Sequence, residues 1–170
     1  MPLTMEQKIG ITIRPIEISD EPLMVKFHRM LSDRTVYLRY FCSLSLSTRT
    51  DHQRLSRICF ADGEREIVLV ALCTEARSGE QMIVAVGRIN LADNKEEGEL
   101  ALLVADDYQG HGVATELLTK LLEVARARGI KRLTAEMLRD NISMQTIFKR
   151  FGFRLRMLND FRSVAAALQL

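Results

Sequence analysis

The feature that most constrains this chain is the stretch LALLVADDYQGHGVATELLTKLLEVA at residues 100–125. An apolar run ends in a polar turn, passes two glycines and enters a helix with a broad apolar stripe. A loop that feeds a helix leaves several backbone N–H groups at the helix start without intrahelical partners. The helix macrodipole adds partial positive charge at the same point. Together these make an anion site, and phosphate is its usual occupant. Gly110 and Gly112 let the backbone come close to such a ligand, Ala114 keeps the next turn small, and Thr115 can add a hydroxyl donor. Two glycines before a helix can also be a plain turn. The strand before them, the long apolar helix after them and the Gln-x-x-Gly-x-Ala spacing favour the anion site.

Two other nucleotide-binding loops are worth testing. The dinucleotide fingerprint needs a third glycine where Thr115 stands, and its loop normally opens the fold instead of following a meander. Glu136 does fall roughly 20 residues further on, where a ribose-binding acid would be, but the topology argues against that fold. A P-loop needs a Gly-Lys-Ser/Thr ending, which is absent.

The flanking elements follow from periodicity. Residues 11–16 (ITIRPI) read as a short strand, with Pro15 marking an edge or an end. Ser19 or Asp20 caps a helix that sets Leu23, Phe27, Met30 and Leu31 on one face. A second helical piece carries Val36, Tyr37, Tyr40 and Phe41, and a third, over 48–58, turns Leu55, Ile58 and Cys59 inward. The period then changes. Residues 65–74, 82–91 and 97–105 read as a three-stranded antiparallel meander. A helix over 112–128 stops at Gly129, and residues 131–138 form a strand parallel to the one before that helix, so the sheet is mixed. A helix opening at Asp140 and Asn141 and two strands, 153–158 and 164–170, complete the chain.

Composition narrows the class. The 170 residues suit one domain over 11–170 behind a loose extension at 1–10. A net charge of +2 gives no reason to expect nucleic acid or an anionic membrane. No run approaches a membrane span, and the first residues do not read as a signal peptide. Cys42, Cys59 and Cys73 lie in apolar surroundings without metal or disulfide spacing and read as reduced core thiols of a cytoplasmic protein. His28, His52 and His111 are too scattered for a metal site.

Gln109-Gly110-His111-Gly112-Val113-Ala114 resembles the acyl-CoA pyrophosphate loop of the GNAT N-acetyltransferase superfamily. Asn141, Met144 and the run from Phe148 to Phe153 resemble that family's second signature, in the right order. The segment IRPIEISDEPLMVKFHRMLSDRTVYLRYF is similar to the GNAT module of the bacterial protein-lysine acetyltransferases called Pat, often joined there to a synthetase-like or cyclic-nucleotide-binding domain. The resemblance implies an α/β (α+β) fold: a mixed, mostly antiparallel sheet of six to seven strands, flanked by about four helices, with a V-shaped splay between strands 4 and 5. It implies acetyl-CoA as acyl donor and no metal. Its pantetheine would lie along Leu102, Leu103 and Val104, and its pyrophosphate on Gln109, Gly110, His111, Gly112, Val113, Ala114 and Thr115. Asn141 would bond the pantetheine arm, unless it is a plain helix cap, and Met144 and Phe148 would line the cofactor side.

Acyl transfer to an amine needs the amine neutral, while a lysine with a pKa near ~10.4 is protonated at neutral pH. A base is required, and a backbone N–H near strands 3 and 4 should stabilise the charge on the carbonyl oxygen. The resemblance points to Glu99 as that base, with Glu97, on the same strand face, in reserve; the run of glutamates can also be a polar turn. Where many relatives carry a tyrosine acid, this chain has Phe148, so the thiolate leaves unassisted or takes its proton from water. Tyr108 lies too early to replace it. The resemblance places Arg34, Tyr37, Arg39 and Tyr40 in the segment that borders the acceptor side, where they could recognise an acidic or protein acceptor; a solvated charged helix face is the commoner explanation. The expected activity is acetylation of protein lysine by direct attack, by a monomer or homodimer. A small-amine acetyltransferase and a non-catalytic acyl-CoA sensor are the alternatives.

Overall fold

The computed structural model describes residues 10–170, so the extension expected at 1–10 lies almost wholly outside the described residues. The first half holds β1 (Thr12–Pro15), α1 (Glu21–Arg29), α2 (Asp33–Tyr40), α3 (Leu46–Arg49) and α4 (His52–Cys59). The meander follows as β2 (Glu66–Thr74), β3 (Gln81–Leu91) and β4 (Glu97–Val104). Then come α5 (Val113–Ala127), β5 (Arg132–Leu138), α6 (Ile142–Arg150), β6 (Arg154–Met157) and β7 (Ser163–Gln169). The strands form one seven-stranded sheet in the order β1-β2-β3-β4-β5-β7-β6. Only β4 and β5 pair in parallel, across the α5 crossover; the other neighbours are antiparallel. This is the mixed sheet that the sequence leads one to expect.

Each sheet face has its own core. Val113, Leu117, Leu118, Leu121, Leu122 and Ala125 of α5 are buried against Leu69, Ala71, Leu100, Leu102 and Leu133. On the opposite face, Met24 and Phe27 of α1 and Leu55 and Ile58 of α4 pack on Val68, Val70 and Leu103. Each such side chain contributes about 1.5–3 kcal/mol by leaving water. Strand alternation sends neighbouring residues of β4 into different cores. Gly129, at φ +76°, ends α5 in the left-handed conformation that glycine adopts freely.

Three local readings change. The helix expected over 48–58 is divided, because Asp51 accepts the Arg54 N–H at 3.1 Å and starts α4 afresh. Asp20 holds the cap position of α1 without capping it. Its carboxylate is instead buried against the Arg14 guanidinium, at 2.7 and 2.8 Å, and the Glu17 N–H, at 2.8 Å, which ties β1 to α1. Cys59 and Cys73 are buried, but Cys42 is exposed beyond the end of α2 and is not a core thiol.

Gly87 on β3 lies tight against α5. A methyl group there would lie 2.5 Å from Leu121 Cδ1, 3.1 Å from Leu102 Cδ2 and 3.2 Å from Leu117 Cγ. All three leucines are buried, with little room to yield. Gly87→Ala is therefore expected to destabilise the protein by about 1–3 kcal/mol, read by thermal or urea unfolding.

Candidate active site

The ladder between β4 and β5 covers only Glu97↔Arg132, Gly98↔Leu133 and Glu99↔Thr134. Both strands continue, to Val104 and Leu138, fully paired to β3 and β7 on their outer sides. Beyond Glu99 they part, and a cavity of about 1000 Å³ opens along the gap. The splay expected between strands 4 and 5 is present.

At one end of the cavity stands the start of α5. Gly112 takes its N-cap place at φ +82°, and no side chain caps the helix. By contrast, α2, α3, α4 and α6 are capped by Ser32, Ser45, Asp51 and Asn141. The first N–H groups of the 15-residue α5 are thus left to whatever enters the cavity. Gly110 also has positive φ, at +77°, and a Cβ on either glycine would meet nothing within 4 Å. Glycine is needed there for the backbone turn and for open space, not for packing within the protein.

The cavity gathers Leu102, Leu103, Val104, Gln109, Gly110, Gly112, Val113, Ala114, Thr115, Asn141, Met144 and Phe148 along its wall. His111 does not line it; the ring is on the exposed side of the loop. The Asn141 Oδ1 accepts the Met144 N–H at 3.3 Å, so that oxygen serves as a helix cap. Phe148 is buried, its ring edge-on to Phe153 at 4.7 Å, and has no proton to give. Tyr108 also lines the cavity, and its hydroxyl is pushed up to about 12 by the neighbouring Cys73 thiol and by partial burial.

Glu99 is exposed and is not part of the cavity wall, although Leu100 beside it is. It stands at the vertex of the splay, on the β4 face shared with Ala101 and Leu103. Glu97 pairs with Arg132 further from the opening. Glu136, on β5, does line the cavity. Sequence reading also passed over Thr35, Leu38 and Arg150, which join Arg34 and Arg39 there.

The loop is tied to α2 by residues far apart in sequence. Asp106 accepts from the Ser32 N–H at 2.9 Å, the Ser32 hydroxyl at 2.6 Å and the Thr35 hydroxyl at 3.0 Å. Gln109 Nε2 donates to Thr35 Oγ1 at 3.2 Å and to the Val104 carbonyl at 2.9 Å. Burial opposes ionisation of Asp106, but these Ser32 and Thr35 bonds outweigh it and hold the carboxyl below its usual 3.8. Behind α2, His28 is 1% exposed. Burial, with the Arg54 and Arg49 charges, pushes its imidazole down to about 4. Among the described residues, no helix is long and apolar enough to cross a membrane, and no cluster of three His, Cys, Asp or Glu could hold a metal.

Comparison with known proteins adds four matches. Residues 11–154 match the family described as Acetyltransferase (GNAT) domain. The chain is 29% identical over 154 residues to Acetyltransferase Pat of Mycolicibacterium smegmatis, a match that takes in 89% of this chain and 44% of the relative. The chain therefore spans less than half of that relative's length. Among solved structures, the GNAT domain of S. lividans PAT superposes with a TM-score of 0.80 at 29% identity, covering 93% of this chain and 89% of that one. The PaiA N-acetyltransferase of Thermoplasma acidophilum, solved in complex with coenzyme A, shares the fold at 15% identity and a TM-score of 0.73, covering 95% and 100%.

Two stability predictions follow from these ties. Asp106→Asn should lose about 1–2 kcal/mol at neutral pH, measured by urea unfolding. Because the folded carboxyl titrates below 3.8, its contribution is present above that value and lost as pH falls through the folded one, so the gap to wild type closes in acid. For His28, the neutral ring supports the fold above an unfolded value of 6.5, and that support is lost as pH falls toward 4. The loss approaches about 3 kcal/mol, and His28→Phe should flatten unfolding stability against pH through this window.

Proposed function

Since the chain belongs to the GNAT acetyltransferase family, we propose that it carries the acetyl group of acetyl-CoA to the side-chain amine of a protein lysine. The observation that carries this is the splayed β4–β5 gap closed at one end by an uncapped helix start. Backbone of Leu102 to Val104 is free to follow the pantetheine arm, and the N–H groups from Gln109 to Thr115 suit a pyrophosphate. The Val104 carbonyl already receives Gln109, which leaves its neighbours on β4 as the partners for that arm. Residues 11–170 act as one acyltransferase domain in this reading.

Glu99 accepts the proton of the attacking amine. The amine nitrogen forms a bond to the thioester carbonyl carbon, the carbon–sulfur bond breaks, and the electron pair leaves on sulfur. A thiolate with a pKa near ~8.5 is a tolerable leaving group without an acid. That fits a site with phenylalanine at position 148 and a Tyr108 hydroxyl whose pKa the Cys73 thiol and burial push up.

The acceptor class turns on α2 and the β6–β7 connection, which Arg162 Nη2 and Tyr37 Oη join at 3.0 Å. Mass spectrometry of proteins treated with the enzyme and acetyl-CoA, beside a panel of small amines, decides it. Modified lysines support the proposal. Turnover restricted to small amines replaces the acceptor, and no turnover with any amine leaves a binding module.

Glu99→Gln should lower kcat/KM by about 10²–10⁴-fold at neutral pH. The same variant should keep the thermal stabilisation by acetyl-CoA, about 2.7 kcal/mol at 100 times Kd. Glu136 is the competing carboxylate. If Glu136→Gln abolishes turnover and Glu99→Gln does not, the base belongs to β5.

A further inference from the structure

On the face of β4 toward α1 and α2, a small pocket opens off the main cavity. Phe27 and His28 of α1, Arg39 and Tyr40 of α2, and Arg88 of β3 form its walls. Arg39, Ala101 and Leu103 line both the pocket and the cavity, so the two meet there. The pocket therefore lies on the side of the strand that carries Glu99.

Its polar groups are unequally satisfied. Arg88 is paired with Glu66. Arg54 lies 5.4 Å from the Tyr40 ring and donates to its hydroxyl at 3.1 Å, fixing the ring. Arg39 stacks on that ring at 5.0 Å, and its guanidinium makes no hydrogen bond or ion pair to any described residue. Arg88 and Arg54 repel it, and the Glu99 carboxylate and Tyr40 attract it. His28 Nδ1, in the same wall, is buried and has no partner. A guanidinium held beside like charges, in the field of Glu99 but with no carboxylate hydrogen-bonded or ion-paired to it, and next to an unpartnered ring nitrogen, has room for an anion. Arginine presents a planar fork of donors that matches a carboxylate.

We propose that Arg39, with the His28 ring behind it, binds a carboxylate carried by the acceptor, so that the enzyme selects amines with an acidic group close to the reacting nitrogen. This rests on the reading that an amine is acetylated at Glu99, and it deepens that reading by naming the acceptor's chemistry. The carboxylate has two possible sources: the α-carboxylate of a free amino acid, or an acidic side chain beside a lysine in a polypeptide.

The test compares matched acceptors with the full chain and acetyl-CoA, reading thiol release. One arm uses lysine peptides flanked by Asp or Glu against the same peptides with Asn or Gln. The other uses free amino acids against their amides. The acidic member of a pair should be preferred in kcat/KM by about tenfold, chiefly through KM. Arg39→Gln should bring that ratio near one, and Arg39→Glu should favour peptides with basic flanks. The arm that shows the preference identifies the source. Equal use of acidic and neutral acceptors by the wild type overturns the proposal. So does an Arg39→Gln variant that slows every acceptor alike, because Arg39 would then only position Glu99. Calorimetric binding of the peptide pairs to the CoA-bound protein reads the subsite without turnover. Discrimination there with no turnover sinks the proposed reaction and keeps the subsite; turnover without discrimination does the reverse.

Discussion

The structure depends on a ladder that stops early. Each of β4 and β5 is paired along its length on one side, so the sheet survives their separation. Parallel pairing between them ends after Glu99 and Thr134, and the backbone groups beyond that point have no strand partner across the gap. Unpaired backbone polar groups away from bulk water are costly, so the opening is a place that asks for a ligand with amide-like hydrogen bonding. The uncapped start of α5 at one end asks for negative charge. A long thin molecule with amides along its body and a pyrophosphate at its end answers both demands.

The two cores put alternate residues of β4 on opposite faces of the sheet. Leu100, Leu102 and Val104 of β4 turn into the core under α5, while Leu103 turns into the core under α1 and α4. By the same alternation Glu99 falls on the α2 face. Helix α5 covers one face of β4, and Glu99 stands on the other. Ala101, between them, is the small residue that lets the two spaces meet.

The loop, α5 and the meander could be read from sequence because their signals are local. Apolar periodicity, glycine placement and turn residues all act within a few positions. The bond set of Asp106 could not be read so. Its partners Ser32 and Thr35 are more than 70 positions away and become neighbours only once α2 lies across the loop. His28 carried no warning either: it sits on an α1 face beside Phe27, where an apolar residue would have been assumed buried and a histidine exposed. The division of α3 from α4 was legible in principle, since Asp51 ahead of His52 is an ordinary N-cap signal.

Charge placement ties the site to the modest net charge of the whole. A phosphate-binding protein need not be strongly basic if backbone dipoles do the binding, and here the loop presents main-chain N–H groups under glycines. That leaves the arginines of this region for other work. Arg54 braces Tyr40, Arg88 balances Glu66, and Arg162 reaches Tyr37. Arg39 alone among these four is held only by a ring and by opposing fields, at the point where the cavity and the side pocket join. A charge left in that state is either a residue of packing or half of an interaction. Its place in the field of Glu99, where the side pocket opens into the cavity, argues for the second.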